Sequence, residues 1–171
     1  MKLFYAAEFT GLHKNTTLIS LGVIDENGRS FYAVCTDYDT TQVDSWLQSN
    51  VLDKLYEYDA PVVVGTRAEV KAALLEFLQD YESMHFVGDC ISFGWVVFCD
   101  LFGGSMELPE NISYMPMDIC TMFYMKGLDP LSPREAFCGH TACTHLKHNA
   151  LYDASIIRHS FFELLKHPSL Y

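Results

Sequence analysis

Three short polar segments hold the side chains of this chain that are best suited to chemistry. They are AAEFTG around Glu8, VGDCISFG around Asp89, and HNALYDA, which holds His148 and Asp153. Carboxylates are the ligands that hard divalent ions prefer, and a neutral histidine can accept a proton near physiological pH. Each segment also has an ordinary explanation: a charge at a strand edge, a turn residue, and the polar start of a helix. Their meaning therefore depends on the elements that carry them.

The first segment lies in a strand pattern. Residues 2–9 are mostly apolar and predict a strand buried on both faces, where the charge of Glu8 is costly. Ala6 precedes it by two residues and shares its face of the strand. Residues 16–25 and 30–36 are also β-rich, and the turn-forming Asn-Gly pair between them predicts a three-stranded meander.

Two helical patterns follow the strands. The segment TTQVDSWLQSNVLDKL (residues 40–55), after a Thr or Asp cap, places four apolar residues on one stripe: Val43, Trp46, Leu47 and Val51. A loop with Pro61 comes next. TRAEVKAALLEFLQDY predicts a helix with Thr66 as N-cap and Glu69 completing a capping box. Its apolar face consists of Val70, Ala73, Leu74, Phe77 and Leu78.

The second half of the chain continues the alternation. Residues 84–88 predict a short strand, and 92–103 predict a helix, although their β-branched content also allows a strand. Residues 112–127 predict a brief strand and then a helix capped by Asp118, and the last helix runs from about His148 to Lys166. The order β-β-β-α-α-β-α-β-α-α predicts an α/β domain with a mixed sheet covered by helices.

Composition narrows the class of protein. The 171 residues predict a single domain spanning 1–171, and the formal charge of −11 argues against a broad basic face that wraps duplex nucleic acid. No apolar run is long enough to span a bilayer and no secretory signal opens the chain, so we expect no membrane contact and a cytoplasmic location. The six cysteines are expected to be mostly buried thiols.

The strand FYAAEFTGL, the run VGDCISFG and the segment HNALYDA follow one another in this order along nearly the whole chain. In that order they resemble the three motifs of the DEDDh group of 3′-5′ exonucleases: Asp-x-Glu on an apolar strand, V-x-H-N-x-x-F-D-x-x-x-L, and His-x-x-x-x-Asp-Ala. Within that group, the chain resembles in particular the short bacterial and phage exoribonucleases similar to RNase T. The resemblance implies an RNase H-like fold.

The resemblance also implies a chemistry. Family members hydrolyse phosphodiester bonds with two Mg²⁺ or Mn²⁺ ions about 4 Å apart, held by four carboxylates, while a neutral histidine takes the proton of the attacking water. Carried over to this sequence, it implies that Glu8 and Asp153 are metal ligands and that His148 is the general base.

Two family acids are missing. Ala6 stands where the family has the Asp of Asp-x-Glu, and Gly94 stands where it has the Asp of the second motif. Asp89 lies before the predicted helix and Asp100 on another of its faces, so we expect neither to replace the lost ligands. The resemblance therefore predicts a chain whose activity is reduced by orders of magnitude.

The resemblance also implies which residues contact the substrate. It implies that Phe9, Thr10 and Phe93 contact the substrate, with the two rings stacking on bases; for Phe93 a core position is an equal alternative. The implied partners are single-stranded RNA or RNA with a 3′ overhang, DNA as a second substrate, and a second copy of the chain in a homodimer.

Two other interpretations remain open. If the replacements Ala6 and Gly94 are natural, the chain is a pseudo-nuclease that binds nucleic acid or a protein without cutting it. Separately, CGHTACTHLKH supplies enough nitrogen and sulfur ligands for a structural zinc site, although the gaps fit no common zinc pattern. Its candidate ligands are Cys138, His140, Cys143, His145 and His148.

Overall fold

The computed structural model describes residues 1–141, 143 and 145–168. Its central element is a mixed sheet of six strands: β1 (Lys2–Phe9), β2 (Leu18–Asp25), β3 (Ser30–Cys35), β4 (Val63–Gly65), β5 (His85–Gly88) and β6 (Met117–Asp118). Their order across the sheet is β4-β3-β2-β1-β5-β6. The first three strands pair antiparallel, as the predicted meander requires, and the other neighbours pair parallel.

Helices cover this sheet: α1 (Ser45–Asn50), α2 (Arg67–Leu78), α3 (Ile91–Asp100), α4 (Ile119–Met125), α5 (Arg134–Phe137) and α6 (Ala150–Lys166). The segment α3 is a helix, as predicted, rather than a strand. The capping box of Thr66 and Glu69 is present at α2, and the Asp118 carboxylate accepts hydrogen bonds from the first backbone N–H groups of α4. The α/β prediction is confirmed, and the mixed sheet is consistent with an RNase H-like fold.

The predicted helix over residues 40–55 is wrong in detail. The segment forms a 3₁₀ turn at Thr40–Gln42, then α1, then a second 3₁₀ turn at Leu52–Lys54. The segment is not one continuous helix because it contains two N-caps: Asp39 caps the first 3₁₀ turn, and Asp44, five residues later, caps α1. Trp46, expected on the apolar stripe, is 51% exposed.

Strand β1 is buried on both faces only in its first half. Leu3, Phe4 and Tyr5 are buried, whereas residues 6–9 are partly exposed because the sheet surface opens there into a cleft. The prediction of a fully buried strand is therefore corrected for the half that carries Glu8. Strand β4 was not expected at all, since three residues after Pro61 give no readable alternation.

The start of α6 approaches the sheet very closely. Gly22 of β2 faces the backbone of Ala150, and a Cβ atom built at Gly22 would lie 2.3 Å from the Ala150 carbonyl carbon and oxygen. Real Cβ atoms do not approach that closely, so only glycine allows this contact. The contact brings the first turn of α6 against the middle of the sheet, beside the cleft.

All six cysteines are free, but the expectation that most are buried is wrong. Only Cys35 and Cys99 are buried; Cys90 is exposed, and the other three are partly exposed. The sequence placed them in apolar segments, yet several of those segments line the cleft or the surface. Within the described ranges, no helix has the length and apolarity needed to cross a membrane.

Candidate active site

A single cleft of about 950 Å³ receives all three polar segments. Its walls come from the end of β1, the start of α3, α1, the region around α5, and the start of α6. The candidate residues of the sequence that line it are Ala6, Glu8, Phe9, Thr10, Asp89, Phe93, Gly94, His148 and Asp153. Segments separated by up to about 140 positions thus converge on one surface.

Three of these side chains form a compact group. One ligand atom from each of Glu8, His148 and Asp153 lies within 4.8 Å of the other two. The Nδ1 atom of His148 is 3.9 Å from Oε1 of Glu8. Glu8 comes from β1, while His148 and Asp153 come from the start of α6, so the group depends on the close contact between this helix and the sheet.

The two carboxylates of the group are held in a poor environment for negative charge. Burial, together with the nearby charge of Asp153, raises the pKa of Glu8 well above its ordinary value. Burial also raises the pKa of Asp153 to about 7, although the hydrogen bond from His148 opposes this shift. A divalent cation would neutralise both groups at once, and their oxygen donors are the type that Mg²⁺ and Mn²⁺ prefer. The donor set therefore fits such an ion.

His148 has an unusual backbone conformation. Its φ angle is 69°, in the left-handed region that non-glycine residues rarely adopt. There its N–H group donates a hydrogen bond to Oδ2 of Asp153 at 3.1 Å and so fixes the carboxylate. Burial lowers the pKa of the imidazole, which is therefore neutral at pH 7 and able to accept a proton.

Asn149 holds this arrangement in place, and sequence reasoning did not single it out. It is fully buried, and its Oδ1 accepts hydrogen bonds from the N–H groups of Leu151 and Tyr152 at the start of α6. Its Nδ2 donates to Tyr32 Oη and to the carbonyl of Leu55, each at 3.2 Å. An Asn directly before the helical pattern is an N-cap signal that could have revealed the first role.

The positions of the two missing family acids both line the cleft. Ala6 lies on β1 two residues before Glu8, and Gly94 lies inside α3 rather than at its start. The two acids considered as substitutes are engaged elsewhere. Asp89 accepts hydrogen bonds from Arg134 Nε at 2.9 Å and Nη2 at 3.0 Å, and Asp100 pairs with Arg67 at 2.7 Å.

Comparison with known proteins gives the family. No protein-family model matches the chain. The 3′-5′ exoribonucleases Rv2179c and MT2234.1 of two Mycobacterium tuberculosis strains, H37Rv and CDC 1551, are each 30% identical to it over 139 residues. The alignment covers 78% of this chain and 80% of each relative. The chain belongs to this family of 3′-5′ exoribonucleases. The family prediction is confirmed at this level, while the DEDDh subtype and the individual residue roles stay predictions.

In this member of the exoribonuclease family, the residues predicted to contact the substrate differ in how exposed their side chains are. The rings of Phe9 and Phe93 are partly exposed in the cleft, with centroids 6.4 Å apart. Thr10, in contrast, is buried; its hydroxyl donates to Gln42 Oε1 at 2.6 Å and accepts from the Thr17 N–H group at 2.9 Å. That hydroxyl therefore fixes the loop after β1.

Trp46 and Arg134 were not expected in the site. Trp46 lines the cleft, and its ring meets that of His148 edge-on, with centroids 5.2 Å apart. Arg134 is buried, and the Cζ atom of its guanidinium group lies 4.2 Å from the centroid of the Phe123 ring. Besides binding Asp89 it donates to Cys120 Sγ at 3.2 Å. Asp89 and Cys120, with Asp118, form a second group of closely spaced potential metal ligands. The positive charge beside that group is the Arg134 guanidinium.

The zinc alternative gains no support from the described residues. Of its five candidate ligands, only His148 belongs to a described group of three or more closely spaced ligand atoms, and that group contains Glu8 and Asp153 instead. His140 packs against the ring of His159, and Cys143 lies 3.5 Å from His145 Nδ1. These contacts are pairs rather than a site for a metal.

Proposed function

We propose that the cleft is the active site of a metal-dependent 3′-5′ exoribonuclease of the DEDDh type, and that Ala6 and Gly94 impair its activity. One observation carries the proposal: Glu8, His148 and Asp153 present their ligand atoms within 4.8 Å of one another in the cleft. The exoribonuclease names of the relatives support the same reaction class.

Glu8 and Asp153 would hold the divalent ion, Mg²⁺ or Mn²⁺. A bound ion would stabilise negative charge on the phosphoryl oxygens and lower the pKa of an attacking water. The raised pKa values of both carboxylates support this role, since burying them together is costly without a counter-charge.

His148 would act as the general base. Burial lowers the pKa of its imidazole, which favours the neutral form; the ring is partly exposed in the cleft, with Nδ1 3.9 Å from Oε1 of Glu8. A neutral ring nitrogen can accept the proton of water, and the carboxylates nearby would stabilise the imidazolium that forms. Asn149 and the backbone N–H group of His148 would keep Asp153 oriented during this step.

The substrate is the 3′ end of an RNA strand, single-stranded or overhanging a duplex. Phe9 and Phe93 offer two partly exposed rings on which terminal bases can stack without sequence preference. The protein carries a formal charge of −11, so cations in the site would also be needed to bring phosphates close to the carboxylates. The relatives' names favour RNA over DNA.

The same geometry supports weak activity. Ala and Gly have no side-chain oxygen, so the chain offers two carboxylates where the family motifs carry four. Asp89 and Asp100 are bound to Arg134 and Arg67, which supports the prediction that they do not replace the missing ligands. The second candidate function, a pseudo-nuclease that binds RNA without cutting it, rests on this observation.

The test compares this chain with the double variant Ala6→Asp plus Gly94→Asp on 3′-labelled single-stranded RNA and on a duplex with a 3′ overhang, with Mn²⁺ or Mg²⁺. We expect the double variant to release 3′ nucleotides far faster than the present chain. Adding His148→Ala should abolish the gain, whereas Asp100→Asn should leave it intact. A folded but inert double variant would contradict the proposal and favour the binding function.

A further inference from the structure

The loop between α4 and α5 contains two prolines and forms part of the cleft wall. In this proline loop, residues 129–133 (DPLSP), the Ser132 N–H group donates a hydrogen bond to the Asp129 carbonyl at 3.1 Å and closes a β-turn. The Asp129 carboxylate also accepts the N–H group of Leu131 at 2.9 Å. Asp at the first position and Pro at the second both favour such a turn. The residues of the loop therefore stabilise its shape.

Arg134 fixes the proline loop from its buried side. Its Nη2 atom donates to the Pro130 carbonyl and its Nη1 atom to the Ser132 carbonyl, each at 2.7 Å. These two carbonyls flank Leu131. The same guanidinium is paired with Asp89, just before α3, through Nε at 2.9 Å. The loop is thus tied to the α3 wall of the cleft, and the guanidinium is engaged by the protein rather than presented to a phosphate.

The side chain that this loop leaves in solvent is that of Leu131. It is 85% exposed, and it lines the cleft. A single exposed leucine is ordinary on a protein surface, and surface loops are usually mobile. Here, however, the leucine lies on a loop held by hydrogen bonds on both sides of it. The same cleft presents the rings of Phe9 from β1 and Phe93 from α3, so apolar surfaces face it from separate walls.

We propose that Leu131 is a substrate-contact residue that packs against the face of an unpaired RNA base in the cleft, and that Arg134 is the positioning residue that holds it there. Every base has an apolar face, so this contact carries no sequence preference. Because the loop is already ordered, the contact costs little conformational entropy. The inference rests on the proposed function for its ligand, RNA. It does not rest on cleavage, since binding can be measured without a nuclease reaction.

The test removes the leucine side chain and the base separately and together. The affinities of this chain and of Leu131→Ala are measured with Mn²⁺ for a short 5′-labelled single-stranded RNA and for the same RNA with an abasic nucleotide at each position in turn. Leu131→Ala should weaken binding of the intact RNA about ten-fold, as expected for covering part of a leucine side chain. At one position the abasic change should weaken binding to the parent chain but not to Leu131→Ala. Met106→Ala, which alters a residue that is 81% exposed outside the cleft, should leave the affinity unchanged.

The role of Arg134 is tested with Arg134→Lys, which keeps the charge but cannot donate to both flanking carbonyls in the same geometry. It should weaken RNA binding as Leu131→Ala does, and the two losses should not add. Additive losses would contradict the positioning role. If Arg134→Lys does not fold, amide hydrogen exchange in the parent chain decides instead. The N–H groups of Leu131 and Ser132 should exchange slowly, and exchange at the rate of an unprotected amide would contradict a held loop.

Unchanged RNA affinity in Leu131→Ala, or a loss that is not coupled to any base, would overturn the inference, as would a chain without affinity for RNA. The outcomes also separate it from the proposed function. Coupling of Leu131 to one base, together with an inert Ala6→Asp plus Gly94→Asp variant, would refute the proposed catalysis alone. A double variant that degrades RNA while Leu131 is coupled to no base would refute this inference alone.

Discussion

Replacing Asp153 with asparagine should stabilise the metal-free protein at high pH. The pKa of this carboxyl rises from an ordinary 3.8 to about 7 because it is buried. The folded state therefore holds the proton more tightly than the unfolded state does, and stability is highest below the ordinary pKa. It falls as the pH rises from about 4 to about 7. Asparagine cannot ionise, yet its carbonyl can still accept the hydrogen bond from the His148 N–H group.

The expected stability difference between Asp153→Asn and the parent follows from the pKa shift of Asp153. Each tenfold change in proton affinity is worth about 1.36 kcal/mol, so roughly three such steps give an upper value of about 4 kcal/mol at pH 8. At pH 4 the difference between Asp153→Asn and the parent should be close to zero. Asp100→Asn is the matched control. It removes a carboxylate that is exposed and ion-paired, so it should change stability by less than about 1 kcal/mol.

Urea unfolding from pH 4 to pH 8 in EDTA measures this difference. Excess Mn²⁺ should then reverse the order at pH 8, because ligand binding to the folded parent raises its stability and the variant has lost a ligand. The reasoning would be refuted if Asp153→Asn were less stable than the parent at pH 8 in EDTA, or if the two stability curves ran parallel with pH.

Three further predictions concern the elements around the site. Gly22→Ala should lower the free energy of unfolding by roughly 2 kcal/mol or more, because the new methyl group would collide with the backbone of α6. Gly94→Ala, where a methyl group has room, should raise it by about 1 kcal/mol. Equal urea midpoints for the two variants would contradict this prediction. Asn149→Ala should lower stability by roughly 2 to 4 kcal/mol, since it removes a helix cap and leaves buried groups unpaired; a loss below about 1 kcal/mol would argue against that role. Phe93→Ala should weaken the binding of a short single-stranded RNA by about 1 to 3 kcal/mol, measured by fluorescence titration. Tyr124 is exposed outside the cleft, so Tyr124→Ala should leave RNA affinity unchanged. Equal losses of RNA affinity in the two variants would exclude base stacking on Phe93.

The sequence predicted well the features that depend on local residues. The capping box of Thr66 and Glu69, the Asn-Gly turn after β2 and the Asp118 cap all involve partners within a few positions, and the structure contains each of them. The meander was predictable for the same reason. In α1 the local signal was ambiguous, because Asp39 and Asp44 are both good caps and only the three-dimensional structure shows that both are used.

The candidate site was predictable only through the resemblance. Periodicity places Glu8 on a strand and Asp153 on a helix, but nothing local shows that a strand at one end of the chain meets a helix at the other. The contacts of Asn149 with Tyr32 and of Arg134 with Asp89 join residues 117 and 45 positions apart. Such partners leave no periodic trace in a single sequence, which is why both residues were missed.

Mn²⁺ binding, followed by the paramagnetic resonance signal of the free ion, tests the central claim most directly. The claim is that Glu8 and Asp153 together hold a divalent cation in the cleft. We expect the present chain to bind Mn²⁺ at a site that Glu8→Gln and Asp153→Asn each abolish and that Asp100→Asn leaves unchanged. Unchanged Mn²⁺ affinity in Glu8→Gln would contradict the claim.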